Sequence, residues 1–349
     1  MLSRNCYAQR RDKAGSIVRC LSMPIPHDIE KRWWVEAAGA NPGLVDSFRP
    51  TLVTFLAFDR DRNPQPIGTG FIVAAESQFA FVISAKHIFT EGVLRAQRPI
   101  PGHALSALFV HRRDRIPSIE PERLKVLWKG NTNAAMLNAV HVNYNDTLDV
   151  AGCIVVPQEE ESITQRVSIP LDTDEPSVGD VVHMVAMEEM KVEELTQPEG
   201  LDGKGQEISV HRRVSIRVGV VTAVYPKGFR QYRWPCFTTS IPAKPGMSGG
   251  FVYFPREGVA IAACGIVCAD NSTDEAHGDF FQCGESVVAS AWLALSLQMP
   301  LAVPRHPDSP TYTLFEMIRR GHVPQPLGGI EHISVVESEN GDCVIGKRK

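Results

Sequence analysis

Gly246-Met247-Ser248-Gly249-Gly250-Phe251-Val252-Tyr253-Phe254 decides how this 349-residue chain folds. A serine set among glycines sits in a sharp bend, and the residues after the bend separate two architectures. A helix directly after the serine would place it at an elbow between strand and helix. Here a glycine pair is followed by an aromatic and β-branched run, which reads as a strand. No alternating strand and helix pattern precedes it, so the serine belongs to an all-β region.

Outward from this point the pattern is one of short apolar runs punctuated by turn residues. Strands are predicted over 51–58, 67–73, 79–84, 104–111, 124–128, 139–143 and 149–156. A second set follows over 180–186, 207–213, 214–224, 236–239, 251–254 and 259–268. Many short strands without intervening helices point to closed β-barrels, because closure removes exposed edges. Two sets predict two barrels, joined near 157–176. Residues 1–50 form an N-terminal extension, 51–165 the first barrel, 166–300 the second barrel with a closing helix, and 301–349 a C-terminal extension.

Three helices flank the strands in this reading. Asp28 is a candidate N-cap for a short helix carrying Ile29, Trp33, Trp34 and Ala37, stopped by Gly39 and Pro42. Val287, Val288, Ala291, Trp292, Leu295 and Leu297 have helical spacing over 285–299. Ser309-Pro310 opens a third helix with Leu314, Phe315 and Ile318 on one face and Gly321 as its stop. The charged stretch 188–206 reads as a long solvated loop.

A lone serine hydroxyl is a poor nucleophile at neutral pH. It needs an imidazole to take its proton and a carboxylate to hold that imidazole in the right tautomer. Ser84-Ala85-Lys86-His87 and Asp149-Val150-Ala151 offer both upstream, with Asp146 as a rival carboxylate. Taken singly, each residue has a structural explanation: His87 beside a core strand, Asp149 at a turn, Ser248 in a glycine-rich bend. The order His, Asp, Ser, with the first two in one strand set and the serine in the other, carries the chemical reading.

The same blocks resemble the trypsin/chymotrypsin-like serine peptidase family, most closely its bacterial type. Gly68-Thr69-Gly70-Phe71 with Phe81-Val82-Ile83-Ser84-Ala85-Lys86-His87 is similar to the family's G-x-G-F strand and T/S-A-x-H motif. Asp149-Val150-Ala151-Gly152-Cys153-Ile154-Val155 resembles its aspartate-led strand, which favours Asp149 over Asp146. Pro245-Gly246-Met247-Ser248-Gly249-Gly250 resembles its P-G-x-S-G-G block. The α/β-hydrolase elbow fits less well, since its Asp and His would have to come from Asp270, Asp279, His306 or His332.

The resemblance implies two antiparallel six-stranded β-barrels with the active site in the cleft between them. It implies a serine endopeptidase with catalytic His87, Asp149 and Ser248, and an oxyanion hole from the N–H groups of Gly246 and Ser248. Pro242, Ala243, Cys268, Ala269 and Asp270 fall at the substrate-binding positions. Two departures stand out. Met247 replaces the aspartate that in digestive members pairs with a new N-terminus, and Cys268-Ala269 replaces a serine and tryptophan. They support an alternative reading, a catalytically inactive scaffold that binds or regulates a protein.

Composition sets the frame. With Lys+Arg 36 against Asp+Glu 40 the net charge is −4, which offers no bulk attraction to nucleic acid or anionic membrane. No run has the length of a membrane span, the N-terminus lacks the apolar core of a signal peptide, and Arg10-Arg11 lacks a twin-arginine context. Eight scattered cysteines, several inside apolar runs, suggest a reducing cytoplasm. Cys264 and Cys268 with His277 and Cys283 fit no usual metal spacing, so neither metal nor cofactor is expected. The expected partner is a protein or peptide substrate, with the terminal extensions as candidate docking segments for another protein.

Overall fold

The computed structural model describes residues 33–39, 41–59, 63–76, 79–92, 124–131, 133–145, 147–157, 168–194, 208–230, 232–270, 285–301, 310–337 and 343–348. Two closed antiparallel barrels dominate them. The first is built from β2 (Leu52–Phe58), β3 (Pro64–Ala75), β4 (Ala80–Ser84), β5 (Leu124–Lys129), β6 (Ala134–Tyr144) and β7 (Ala151–Pro157), in the cyclic order β2-β3-β4-β7-β6-β5. The second uses β8 (Val181–Glu194), β9 (Ile208–Tyr225), β10 (Cys236–Thr239), β11 (Phe251–Tyr253), β12 (Gly265–Asp270) and β13 (Ser286–Ser290). Its order β9-β10-β13-β12-β11-β8 closes through a long β8–β9 pairing.

Strand periodicity explains why these runs are so uniformly apolar. Successive side chains point to opposite faces. Val53, Phe55, Ile72, Val82, Cys153 and Val155 fill the first barrel, while their neighbours Leu52, Phe71, Ile83 and Ile154 face out of it. Those outward residues are buried in one cluster with Val185, Met187, Ile216 and Phe251 of the second barrel. Phe71 and Phe251 meet across this seam at a ring separation of 5.4 Å. The second barrel has its own interior, including Val182, Met184, Phe237, Val252, Val267 and Val288. Both faces of many strands are thus dry, and the seam makes the barrels one unit.

The flanking segments differ from expectation. Trp34–Glu36 is a strand, β1, which extends the sheet along β9 in the register Trp34↔Gly219, Val35↔Val218, Glu36↔Arg217. The predicted helix over this stretch is therefore wrong: an open edge on β9 supplies backbone hydrogen bonds that a short helix would have had to make alone. Asp28 and Ile29 lie outside the described residues. Pro42, expected to stop a helix, starts one: α1 (Pro42–Phe48) has proline in its first turn, where a missing N–H costs nothing.

The 285–299 segment is not a helix either. It is β13, then one short 3₁₀ segment (Ala291–Ser296), then β14 (Gln298–Pro300), which pairs with β15 (Thr311–Thr313). Every residue of Ser286–Ser290 is buried, and a run without a polar face gives no periodicity by which to tell helix from strand. Barrel closure between β10 and β12 decides in favour of the strand. The stretch from Glu188 to Glu194 continues β8 instead of looping out. The predicted strand over 104–111 lies outside the described residues.

At the C-terminal end α2 (Leu314–Arg319) forms as expected, but its N-cap is Thr313, in a reciprocal capping box with Glu316. A hairpin of β16 (Ile333–Glu337) and β17 (Cys343–Lys347), absent from the sequence reading, follows it. Among the described residues no helix is long and apolar enough to cross a membrane.

Candidate active site

Strand register places the first two site residues. In the β4–β7 pair Ser84 lies opposite Ala151. His87 comes three residues after the end of β4 and Asp149 two before the start of β7, so both emerge at the same end of the barrel. His87 Nδ1 lies 2.9 Å from Asp149 Oδ2 and 3.2 Å from Oδ1. The main-chain N–H of His87 also donates to Oδ1, at 3.0 Å. A carboxylate acceptor at Nδ1 holds the proton there in the neutral ring, which leaves the lone pair on Nε2. The two side chains are 31% and 14% exposed, so the imidazole can reach a bound molecule while its partner is largely shielded.

Ser248 sits in the tight turn before β11. Met247 N–H donates to Lys244 O, Gly249 N–H to Val267 O and Gly250 N–H to Met247 O. Gly246 and Gly249 have φ of 92° and 81°, values that side chains resist. At Gly249 a Cβ would lie 2.0 Å from Thr69 O and 2.2 Å from Ser84 Oγ. The residue after Ser248 therefore touches the backbone of β3 and the segment that leads into His87. Among the described residues the N–H groups of Gly246 and Ser248, unlike their neighbours', have no hydrogen-bond partner.

Thr69, in the middle of Gly68-Thr69-Gly70, clamps this turn to the first barrel. Its N–H donates to Ser248 O at 2.9 Å, and its hydroxyl donates to Gly246 O at 2.7 Å and accepts from Met187 N–H at 3.0 Å. Ser84 Oγ in turn donates to Thr69 O at 2.6 Å. The glycines on either side of Thr69 were quoted as a motif, but only the structure gives the threonine its task. Cys268 completes the junction: its carbonyl lies 3.5 Å from Ser248 Oγ, and its thiol donates to Asp149 O at 3.4 Å.

The substrate-binding candidates are placed less uniformly. Ala243 and Cys268 are buried, and Pro242 is half-buried with its carbonyl accepting from Arg217 NH1 at 2.7 Å. Ala269 and Asp270 continue β12, with side chains outside the described set. Burial pushes the thiols of Cys264 and Cys268 well above their ordinary range, so neither is a ready thiolate. Among the described residues no group of three or more His, Cys, Asp or Glu could hold a metal ion. His277, Cys283 and Asp146 lie outside them.

The reading as a solvated loop fails most clearly at Glu188. This residue is 1% exposed and pairs with Arg217, itself fully buried, and with Arg213. Sequence gave no sign of it, since a carboxylate in a charged run looks solvated until its buried partner is known.

Two six-stranded barrels, with the His87–Asp149 pair on one and the Ser248 turn docked from the other, determine the architecture. The fold is mostly β, two closed six-stranded antiparallel barrels with few short helices. No protein-family model matches the chain, and no curated protein does. Among solved structures it is similar to the apo MamO protease domain from Magnetospirillum magneticum, at 13% identity over 71% of this chain and 95% of that one, with a TM-score of 0.40. It is similar to GrC at 13% identity, over 72% and 93%, with a TM-score of 0.40. It is similar to the protease Anisep from Arthrobacter nicotinovorans at 11% identity, over 70% and 91%, with a TM-score of 0.36. Of two surface cavities, one of about 400 Å³ is lined by residues of the C-terminal extension and one of about 390 Å³ by that extension and the β3–β4 end of the first barrel, and neither is lined by His87, Asp149 or Ser248.

Proposed function

We propose that the protein is a serine endopeptidase acting through Ser248, His87 and Asp149. The observation that carries this reading is the double contact of His87 with Asp149, ring and backbone together, at the end of the barrel against which the Ser248 turn is docked. In the reaction Ser248 Oγ attacks the carbonyl carbon of a peptide bond while His87 takes its proton. Asp149 stabilises the resulting imidazolium. The negative oxygen of the tetrahedral intermediate is received by the N–H groups of Gly246 and Ser248, each such donor contributing about 3–4 kcal/mol in comparable chemistry.

Collapse of the intermediate breaks the C–N bond, and His87 delivers its proton to the departing amine. Water then attacks the acyl-enzyme by the same route, releasing the acid and restoring Ser248. The substrate is a protein or peptide, and the protein works in a reducing compartment, the cytoplasm.

A fluorophosphonate probe tests the reading. Ser248 displaces fluoride from phosphorus only when its hydroxyl is activated, so the folded wild-type chain takes the label and Ser248→Ala does not. His87→Ala should lose both labelling and hydrolysis, because residues that act as a unit lose most of the rate together. A folded wild-type chain that stays unlabelled and cleaves no peptide would instead support the inactive-scaffold reading, in which Met247 and Cys268 mark a barrel pair that has given up catalysis.

A further inference from the structure

Arg217, near the middle of β9, has a side chain that is 1% exposed and a guanidinium that reaches three different parts of the chain. NH1 donates to Pro242 O at 2.7 Å, NH2 pairs with the carboxylate of Glu188, and Nε lies 3.4 Å from Glu36 Oε2. Glu36 is further held by Ser215 Oγ at 3.0 Å and by Ile216 N–H at 3.1 Å. The indole of Trp34 packs on the guanidinium at 5.0 Å. One residue earlier, Trp33 O accepts from Ser240 Oγ at 2.5 Å. The strand Trp34–Glu36 and the residue before it are therefore tied to the segment 240–242, which leads into the Ser248 turn.

The other end of that turn is anchored on the same structure. Met187, next to Glu188, donates its N–H to Thr69 Oγ1, and Thr69 Oγ1 donates to Gly246 O. A Cβ on Gly246 would come within 2.7 Å of Met190 Cε, and Met187 O and the Cα of Glu188 are its next neighbours. Pro242 is thus fixed by Arg217 directly, and Gly246 by the β8 residues that flank Arg217's partner.

Stability alone does not account for so much buried charge. Taking an arginine and a carboxylate out of water costs several kcal/mol per ion, and well-packed apolar residues usually do as well or better. An apolar side chain could not hold a carbonyl, however. The planar guanidinium can donate to Pro242 O and to two carboxylates at fixed angles at once, which lysine cannot.

We propose that Glu36, Arg217 and Glu188 are positioning residues that hold the loop Pro242–Ser248 in the shape in which the N–H groups of Gly246 and Ser248 can receive an oxyanion. Glu36 makes the N-terminal strand β1 a working part of the site. The inference rests on the proposed serine-peptidase reading.

The test uses the full-length chain and measures the rate of fluorophosphonate labelling at Ser248, turnover of a fluorogenic peptide that the wild type cleaves, and the thermal unfolding midpoint. Glu36→Gln keeps shape and removes charge. It should lower the labelling rate and kcat at least tenfold, with KM and the unfolding midpoint nearly unchanged. Removing Arg217 alone would leave the buried Glu188 carboxylate with the more exposed Arg213 in place of its buried partner, so the second variant is the double change Glu188→Met with Arg217→Met. It should stay folded and also label at least tenfold more slowly. Wild-type labelling rates in both variants, or a loss that tracks lowered folding stability alone, would overturn the positioning role and leave the triad reading intact. A folded wild-type chain that labels nowhere would overturn the triad reading and this inference with it.

Discussion

Asp149 holds His87 twice, through the ring at 2.9 Å and through the main-chain N–H at 3.0 Å. The second contact fixes where the β4 chain turns, and the first fixes which ring nitrogen carries the proton. An asparagine at this position can still accept the main-chain N–H with its carbonyl oxygen, but its amide then faces Nδ1 with a donor. Asp149→Asn should therefore fold normally and lose about four orders of magnitude in kcat through the wrong tautomer. Steady-state kinetics beside an unfolding curve checks this. If Asp146→Asn proves the damaging change instead, the carboxylate has been assigned to the wrong residue.

Glycines around Ser248 should not respond alike. Gly249→Ala must place a Cβ about 2 Å from a backbone oxygen, in a conformation that side chains resist. A cost of about 3 kcal/mol or more is expected, read as a lower denaturant midpoint or as insoluble protein. Gly246→Ala also has an unfavourable φ, but its nearest neighbour is the flexible tip of Met190. It should remain folded and lose activity. Equal stability losses in the two variants would contradict the packing described.

Thr69→Val removes the hydroxyl that bridges Met187 N–H and Gly246 O while keeping the side-chain volume. It leaves a buried donor and an acceptor unpaired, a change expected to cost about 1–3 kcal/mol. Urea unfolding of the variant beside the wild type measures the loss. No change in midpoint would mean that the clamp between β3 and the Ser248 turn carries no energy.

The barrels were legible because their signal is local. Where both faces are buried alternation is lost, but turn residues still bound short apolar runs rich in β-branched and aromatic residues, which read as strands. Cys236–Thr239 was read to the residue and several other strands to within two, but β8 runs eight residues past its predicted end at 186, β9 is a single strand where two were predicted over 207–213 and 214–224, β12 starts six residues after its predicted start at 259, and β13 was read as helix. The two predicted helices that proved to contain strands share a cause. Ser286–Ser290 is dry on all sides and Trp34–Glu36 completes an existing edge, so tertiary surroundings set their conformation and periodicity could not. The network of Glu36, Glu188 and Arg217 was invisible for a different reason. Its members are far apart in sequence, 181 positions for Glu36 and Arg217, and each looks like an ordinary surface charge alone.

Acid should weaken the second barrel through His183. This residue is buried, its Nδ1 lies 3.0 Å from Tyr253 Oη, and desolvation lowers its pKa to about 4. In the unfolded chain an imidazole titrates near 6.5. Between these values the unfolded state binds more protons, so stability falls as pH drops from about 6.5 to about 4, by up to about 3 kcal/mol from this group. His183→Gln cannot take up that proton. The wild-type stability relative to the variant, from urea curves at pH 7, 5.5 and 4.5, should shrink as the pH falls. A constant difference would show that His183 is protonated without penalty in the folded state.

Under the proposed reading, specificity is expected to follow from the substrate-binding candidates Pro242, Ala243, Cys268, Ala269 and Asp270. Ala243 and Cys268 are buried and uncharged, and the carbonyl of Pro242 is already engaged by Arg217. None of these groups offers a buried lysine or arginine of a substrate the partner it would need, and an unpaired charge there would be strongly disfavoured. Arg217 cannot serve an acidic side chain either, since its fork is occupied by Glu188, Glu36 and Pro242. A small or apolar residue before the cleaved bond is expected, and a peptide-library cleavage profile will show whether it is preferred. Asp270, the last residue of β12, supplies the contrary outcome, since a carboxylate attracts a basic side chain. Strong selection of lysine or arginine, abolished by Asp270→Ala, would overturn the apolar pocket and make Asp270 the selecting residue.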